Sequence, residues 1–183
     1  MNTNLDSLSI KHLTADLHEE LEAVPFNQKM FRGEQTVAER KSYLASWKPI
    51  MKFLDPMVPE PMRRWEKIKD DLKASGLGHQ EPSTHSYAYL HYMSGFDTDQ
   101  NNGFNGHIYL NYMGFMFGGQ IMKKRYPDTA SLYEFDDIVY WRDYVRKHYV
   151  HVEDEKFVQQ VKKGFQMHIA MSRELGRLHN VVE

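Results

Sequence analysis

The stretch YLNYMGFMFGGQIMKK, Tyr109–Lys124, combines an apolar helical pattern with the glycines Gly114, Gly118 and Gly119. Inside a helix each glycine costs about 1 kcal/mol relative to alanine, so this cluster needs a structural reason. Gly114 and Gly118 are four residues apart and share one helix face, where they leave the backbone bare. A flat, bulky partner can lie against such a face, although close packing of a second helix would use the same pattern. The stretch predicts one long helix, over about residues 107–125, that bends at its glycines.

Helical spacing of apolar residues continues through most of the chain. It predicts further helices over about residues 10–21, 37–54, 61–74, 84–93, 134–150 and 153–178. Loop chemistry marks residues 76–83 and the glycine- and asparagine-rich segment 95–106. No strand pair and no internal repeat stand out. The pattern therefore predicts an all-α fold, a bundle of about seven helices that forms one domain over residues 1–183.

The composition excludes several classes of protein. The 183 residues are 41% hydrophobic and carry a formal net charge of -2, which argues against a general nucleic-acid binder. The chain has no cysteine, and this excludes disulfides, thiolate metal sites and cysteine nucleophiles. No apolar run approaches the roughly 18 residues of a membrane span, and the polar first residues do not form a signal peptide. We therefore expect a soluble, cytoplasmic protein without a membrane or nucleic-acid partner.

A polar stripe follows the apolar stripe of the first predicted helix. Lys11, Thr14, His18 and Glu22 recur at intervals of three and four residues, so they line one edge of that helix. Glu22 can reach the imidazole of His18, and a carboxylate behind a histidine raises the basicity that a metal ligand needs. A surface pair of histidine and glutamate has the same spacing, so the stripe alone leaves both interpretations open.

A third pattern lies near the carboxyl end. Arg142 and Arg146 are four residues apart, and paired guanidinium groups bind carboxylates well, although they also occur on ordinary charged surfaces. Taken together, the three patterns describe one ligand that is flat and apolar, carries carboxylates, and contains a metal that takes one imidazole. Haem fits this description. It would lie between the first helix and the glycine-kinked helix, whose bare face leaves the sixth iron position open.

The sequence resembles the haem (heme) oxygenase family. The resemblance rests on the stripe from Lys11 to Glu22, on a HxYLxYxGxxxGGQ pattern over His107–Gln120, and on a final helix that contains Phe165 and His168. It covers almost the whole chain. It implies that His18 is the proximal iron ligand with Glu22 as its partner, and that Gly114 and Gly118 cover the other haem face.

The resemblance also implies roles for the remaining candidates. Propionate contacts would come from Lys11, Tyr109, Arg142 and Arg146, further haem contacts from Thr14, Gly119 and Phe165, and the distal catalytic face from Asn111, Gly114, Phe115 and Gly118. Haem b would be both substrate and cofactor. Oxygen and electrons from a ferredoxin or an NADPH-dependent reductase would convert it to biliverdin, carbon monoxide and ferrous iron.

One position departs from the family pattern. Many members have an aspartate directly after the first distal glycine, and this chain has Phe115. A phenyl ring cannot hold water, so another group must order it, and Asn111, Tyr112 and Gln120 are candidates by type. Phe115, Met116 and Phe117 are also expected to restrict access to the haem edge. The alternative function is therefore a haem-binding protein or haem-dependent peroxidase that does not cleave the ring.

Overall fold

A computed structural model describes residues 10–76, 78–96 and 104–181. The α-helices of these ranges are α1 (Ala15–Ala23), α2 (Pro25–Arg32), α3 (Val37–Leu54), α4 (Trp65–Ala74), α5 (Thr84–Ser94), α6 (Asn105–Phe117), α7 (Gly119–Arg125), α8 (Ile138–Tyr149) and α9 (Glu155–Leu178). Short 3-10 helices lie at Asp55–Met57, Glu60–Met62, Pro127–Thr129 and Ser131–Tyr133. No strand occurs in these ranges, so the prediction of an all-α fold is confirmed. The predicted loop 95–106 lies largely outside the described residues.

The first predicted helix ends close to the expected position, but Pro25 beyond it starts a second helix. Residues 10–13 are helical, a turn at Thr14 follows, and α1 then runs to Ala23. Pro25 is the first residue of a separate helix, α2, because proline needs no backbone donor at that position. The sequence did not predict α2, whose residues lack a long apolar stripe.

The bounds of α3 agree with the prediction. Thr36 accepts a hydrogen bond from the Glu39 backbone N–H, and the Glu39 side chain accepts one from the Thr36 backbone N–H. This capping box fixes the start of the helix. Pro49 lies inside α3 without dividing it into two elements.

Two helices begin four residues later than predicted because acidic side chains cap them. Asp55 accepts hydrogen bonds from the backbone N–H groups of Arg64 and Trp65, where α4 starts. Asp137 accepts one from the backbone N–H of Tyr140 at the start of α8. Such caps satisfy donors that the first turn leaves unpaired. Upstream of α4 the apolar pattern extends into the 3-10 helix Glu60–Met62, which the periodicity did not distinguish from α-helix. Residues 134–137, upstream of α8, are not helical.

The glycine-containing helix is interrupted at Gly118. α6 ends at Phe117 and α7 begins at Gly119, whereas the prediction was one bent helix. The interruption lies within the glycine cluster, where the prediction placed the bend, and Gly118 itself keeps helical dihedral angles of -61° and -35°.

The longest helix, α9, packs against α6, α1, α2 and α5, while α3 packs against α4 and α5. α6 and α9 approach closely at two glycines. A Cβ on Gly106 would lie 2.8 Å from the Phe157 carbonyl oxygen, and one on Gly164 would lie 2.5 Å from Leu110 Cδ2. α9 therefore joins α1, which holds His18, to α6, which holds the glycine face.

No helix in the described part of the chain has the length and apolar character needed to cross a membrane.

Candidate functional site

His18 and Glu22 lie one turn apart on α1 and face each other. Glu22 Oε1 is 3.2 Å from His18 Nδ1, and the two side chains are 55% and 56% exposed. A carboxylate at Nδ1 favours a proton on that nitrogen, which leaves the lone pair of Nε2 for a metal. The exposed pair adds little to folding stability. Its arrangement suits a ligand and its supporting carboxylate.

Phe165 on α9 packs beside this histidine. The ring centroids of His18 and Phe165 are 5.7 Å apart, with the ring planes inclined at 59°. Phe165 is buried, so its position is fixed by the bundle. The structure therefore places Phe165, which the sequence named as a contact residue, next to the candidate metal ligand.

The other two residues of the polar stripe, Lys11 and Thr14, lie in different environments. Lys11 is exposed, two turns before His18. Thr14 is buried, and its hydroxyl donates a hydrogen bond of 2.8 Å to the Ile10 carbonyl. Because that hydroxyl is donated to the backbone of the preceding turn, a ligand contact by Thr14 stays a prediction from the sequence.

The three glycines divide into an open face and a packed face. A Cβ on Gly114 would meet nothing within 4 Å, and one on Gly118 would meet only the Gly114 carbonyl. In contrast, a Cβ on Gly119 would lie 2.4 Å from the Tyr133 ring. Gly114 and Gly118 leave bare backbone at the surface, whereas Gly119 allows the core to close. Gly119 therefore serves packing, and we do not retain it as a ligand contact.

Phe115 points away from the open glycines. It is 4% exposed, and its ring centroid lies 5.0 Å from that of Trp47 in an edge-on contact. Met116 is also buried, whereas Phe117 is 45% exposed. Of the three bulky residues expected to shape the open face, only Phe117 is therefore exposed, since α6 directs the other two into the core.

A buried network of polar side chains lies behind the open face. Asn111 donates hydrogen bonds to the His107 carbonyl (2.8 Å) and the Tyr89 hydroxyl (3.2 Å), and its amide oxygen lies 3.0 Å from His168 Nε2. His107 Nδ1 lies 2.8 Å from the Tyr89 hydroxyl, and His107 Nε2 lies 2.8 Å from Gln160 Oε1. The network joins α5, α6 and α9.

Both histidines of this network are uncharged at neutral pH. Burial lowers the pKa of His107 to about 4 and that of His168 to about 3, because removal from water disfavours the imidazolium ion. Sequence reasoning singled out Asn111 but gave neither histidine a role. The available signal was His107 and Asn111 at a spacing of four residues in an otherwise apolar helix.

The other two residues named as candidates for ordering water belong to the core. The Tyr112 hydroxyl donates a hydrogen bond of 2.6 Å to Asp55 Oδ1. The Gln120 amide donates to the carbonyls of Met116 and Tyr133. Only Asn111 shares the helix stripe of Gly114 and Gly118.

Arg142 and Arg146 share one face of α8, as their spacing predicts. Arg142 Nε donates a hydrogen bond of 2.7 Å to Asp143 Oδ1, and Arg146 Nη1 lies 4.0 Å from the same oxygen. The bond to Arg142 lowers the pKa of Asp143. Tyr109 on α6 lies within electrostatic reach of Arg146, while burial raises the pKa of its hydroxyl. The two arginines thus already contact one carboxylate, that of Asp143, and Arg146 lies near Tyr109 of α6.

A cavity of about 650 Å³ lies elsewhere, beside α3 and α4. Lys48, Trp65 and Tyr87 are among its lining residues, and none of the residues predicted to form the site lines it. The candidate site is therefore a separate region, formed by α1, α6, α8 and α9.

The model of one protein family, described as heme oxygenase, matches residues 5–174. The chain belongs to the heme oxygenase family. The match includes every residue discussed above, from Lys11 to His168. A comparison with curated protein sequences finds no significant match.

Solved heme oxygenase structures share the fold. Heme oxygenase-1 from the cyanobacterium Synechocystis, solved with heme, superposes with a TM-score of 0.81 at 18% identity, over 97% of this chain and 95% of the other. Heme oxygenase-2 from the same organism, solved with heme and NO, gives 0.81 at 16% identity over 94% and 86%. Heme oxygenase from Leptospira interrogans gives 0.76 at 17% identity over 92% and 98%. These similarities confirm the all-helical fold.

Proposed function

We propose that this chain is an active heme oxygenase that binds haem b and cleaves it to biliverdin, carbon monoxide and ferrous iron. Oxygen is the co-substrate, and a ferredoxin or an NADPH-dependent reductase supplies the electrons. One observation carries the proposal beyond family membership. α1 presents a histidine supported by a carboxylate, and α6 presents bare backbone with open space in front of it.

The residues of this face fit haem. His18 Nε2 supplies one nitrogen ligand to the iron, and Glu22 keeps the proton on the opposite ring nitrogen. The flat, apolar ring needs a surface without projecting side chains, and Gly114 and Gly118 provide it. Phe165, packed on His18, limits rotation of the imidazole.

The cationic residues suit the two propionates. Arg142 and Arg146 lie close together on α8, and Arg146 lies near Tyr109 of α6. Lys11 lies in the short helical stretch before α1 and is exposed to solvent. A propionate bound to either arginine would replace or share its contact with Asp143. Charge-assisted hydrogen bonds of this kind fix the orientation of the ligand as well as its affinity.

When bound, haem supplies both the iron that activates oxygen and the carbon atom that is oxidised. The protein's contribution is to hold it in one orientation, exclude side chains from the glycine face and shape access to the ring edge. Phe117 is an exposed, bulky side chain next to Gly118 in the sequence and is therefore our candidate for steric control of the cleavage position.

Hemin titration tests the assignment of the ligand. We expect the wild-type protein to give a saturable Soret band with a five- or six-coordinate imidazole signature. His18→Ala should lose that signature and weaken binding by at least about tenfold, because the iron loses its protein ligand. His12→Ala removes another exposed histidine nearby and should change nothing. An unchanged imidazole signature in His18→Ala would refute the assignment.

A second function is favoured by one observation. Phe115 fills a buried position against Trp47, where an aspartate is common in the family, so that position supplies no group to hold water. A protein that binds haem without cleaving it, or that uses it as a peroxidase, would be compatible with this. Oxidation of guaiacol by peroxide, with no biliverdin formed under reducing conditions, would support this second function.

A further inference from the structure

The cavity beside α3 and α4 is a second concave region, apart from the candidate haem site. Its volume of about 650 Å³ lies within the roughly 300–1,000 Å³ of pockets that hold small organic ligands. Side chains of α3, α4 and α5 form its walls, together with the segment 78–82. None of the residues assigned to haem lines it, so the proposed function gives this cavity no role.

Lysine side chains give the cavity a positive lining. Four lysines line it against one glutamate among the lining residues that the structure describes, namely Lys41, Lys48, Lys52, Lys73 and Glu81. Glu81 already contacts a histidine, with its Oε1 2.5 Å from His79 Nε2. The whole chain carries a formal net charge of -2, so the positive charge at this cavity is a local feature and not a property of the surface as a whole.

Three of the lysines form a stripe along one face of α3. Lys41, Lys48 and Lys52 follow one another at intervals of about two turns and one turn of helix. Lys41 is buried, and its Nζ donates a hydrogen bond of 3.0 Å to the Gly76 carbonyl. Lys48 and Lys52 are exposed, as is Lys73 on α4, and none of these three forms an ion pair within the described part of the chain. Their charges are therefore available to an anion.

Aromatic side chains supply the flat part of the walls. Trp65 is half-buried at the start of α4, where its backbone N–H donates a hydrogen bond of 2.6 Å to Asp55. Lys52 Nζ lies 5.5 Å from the centroid of the Trp65 ring. Tyr87 on α5 also lines the cavity and is 50% exposed. Aromatic faces bind flat apolar rings, and ammonium groups beside them bind anions, so the cavity combines two kinds of recognition.

We propose that this cavity binds small organic anions in which a flat apolar ring carries a phosphate or a carboxylate group. The ring lies against Trp65 and Tyr87, and the anionic group contacts Lys48, Lys52 and Lys73. Binding neutralises lysines that otherwise repel one another across the cavity. An ordinary charged surface has acidic and basic side chains interspersed, whereas the glutamate of this lining is held by His79. The inference is independent of the haem assignment.

Probes that share one ring distinguish the two anionic groups. Naphthyl phosphate, naphthoate and the uncharged naphthalenemethanol, all substituted at the same ring carbon, are titrated separately into the nitrogen-15-labelled protein and followed by NMR. At least one of the two anions should bind with a dissociation constant of about 1 mM or tighter, and the tighter one identifies the preferred anionic group. Naphthalenemethanol should bind at least about tenfold more weakly than that anion, because it offers the lysines no charge.

The NMR signals also locate the site. The largest shifts should come from the indole N–H of Trp65 and from backbone amides of the segment 78–82, and the amides of Gly114 and Gly118 should change little. Raising the NaCl concentration from about 50 to 500 mM should weaken the binding of both anions, because salt screens the lysine charges.

Two double variants test the role of the lysines. Lys48→Gln with Lys52→Gln removes two exposed charges from the cavity and should weaken binding of the preferred anion by at least about tenfold. Lys123→Gln with Lys124→Gln removes the same charge from exposed positions at the end of α7, outside the cavity, and should leave the affinity within about twofold.

Four results would overturn the inference: no binding of either anion up to about 10 mM, equal binding of naphthalenemethanol, unchanged affinity in the α3 double variant, or largest shifts at Gly114 and Gly118. Each of them would leave the proposed function intact, because that function depends on His18 and the glycine face.

Discussion

Replacing Gly114 by alanine should make the unloaded protein more stable and the haem complex weaker. The added methyl group would meet nothing within 4 Å, so no clash opposes it. Alanine is favoured over glycine inside a helix by about 1 kcal/mol. For a chain of this size, that gain corresponds to a rise in Tm of about 2–4 °C. The same methyl group would project from the face against which the haem ring lies, and we expect a loss of hemin affinity of at least about tenfold.

Gly119→Ala is the matched control. Its Cβ would lie 2.4 Å from the Tyr133 ring, so this variant should lose about 1–3 kcal/mol of stability through overpacking. Hemin affinity per folded molecule should change little, because Gly119 does not lie on the open face. The two substitutions lie only five residues apart in the chain, but they should change the free energy of unfolding in opposite directions.

Urea unfolding of the unloaded proteins and hemin titration of the folded proteins measure the two effects separately. If Gly114→Ala is less stable than the wild type and binds hemin equally well, the glycines of α6 serve helix packing, and the assignment of this face to haem is refuted.

Other perturbations test the interior of the bundle. Phe115→Asp would place a carboxyl group among Trp47 and Tyr133, and should cost at least about 2 kcal/mol in urea unfolding; an unchanged stability would show that the position is not buried. Because the folded-state pKa values of His107 and His168, about 4 and 3, lie below the unfolded value near 6.5, the unfolded chain binds more protons as the pH falls. The free energy of unfolding should therefore decrease from about pH 6.5 towards 4, by up to about 1.4 kcal/mol per pH unit for each histidine, and His168→Gln should flatten this dependence. Glu174, whose pKa is lowered to about 2 by hydrogen bonds from Ser83, Thr84 and His85 that outweigh its burial, should cause a separate loss of stability only below about pH 4.5.

Apolar periodicity predicted most of the fold. α3 and α5 begin where the sequence places them, because Thr36 and Ser83 are side-chain caps at the ends of apolar stripes. The starts of α4 and α8 were placed too early. Asp55, which caps α4, lies ten residues before Trp65, so a local pattern cannot reveal it.

The candidate site was predicted in part, and the reason differs between its two halves. The stripe of His18 and Glu22 lies within one helix, and helical geometry alone brings these side chains together. Whether Gly119 and Phe115 face the core or the open surface depends instead on where Tyr133 and Trp47 pack. The network of His107, Asn111 and His168 joins helices distant in sequence, and no spacing rule predicts it.

Turnover of the hemin complex tests the central claim most directly. The purified protein is loaded with hemin and mixed in air with ferredoxin, its NADPH-dependent reductase and catalase, which removes free peroxide. The account predicts that the Soret band is lost while biliverdin and carbon monoxide appear. A Soret band that persists under these conditions, with no biliverdin formed, would contradict it.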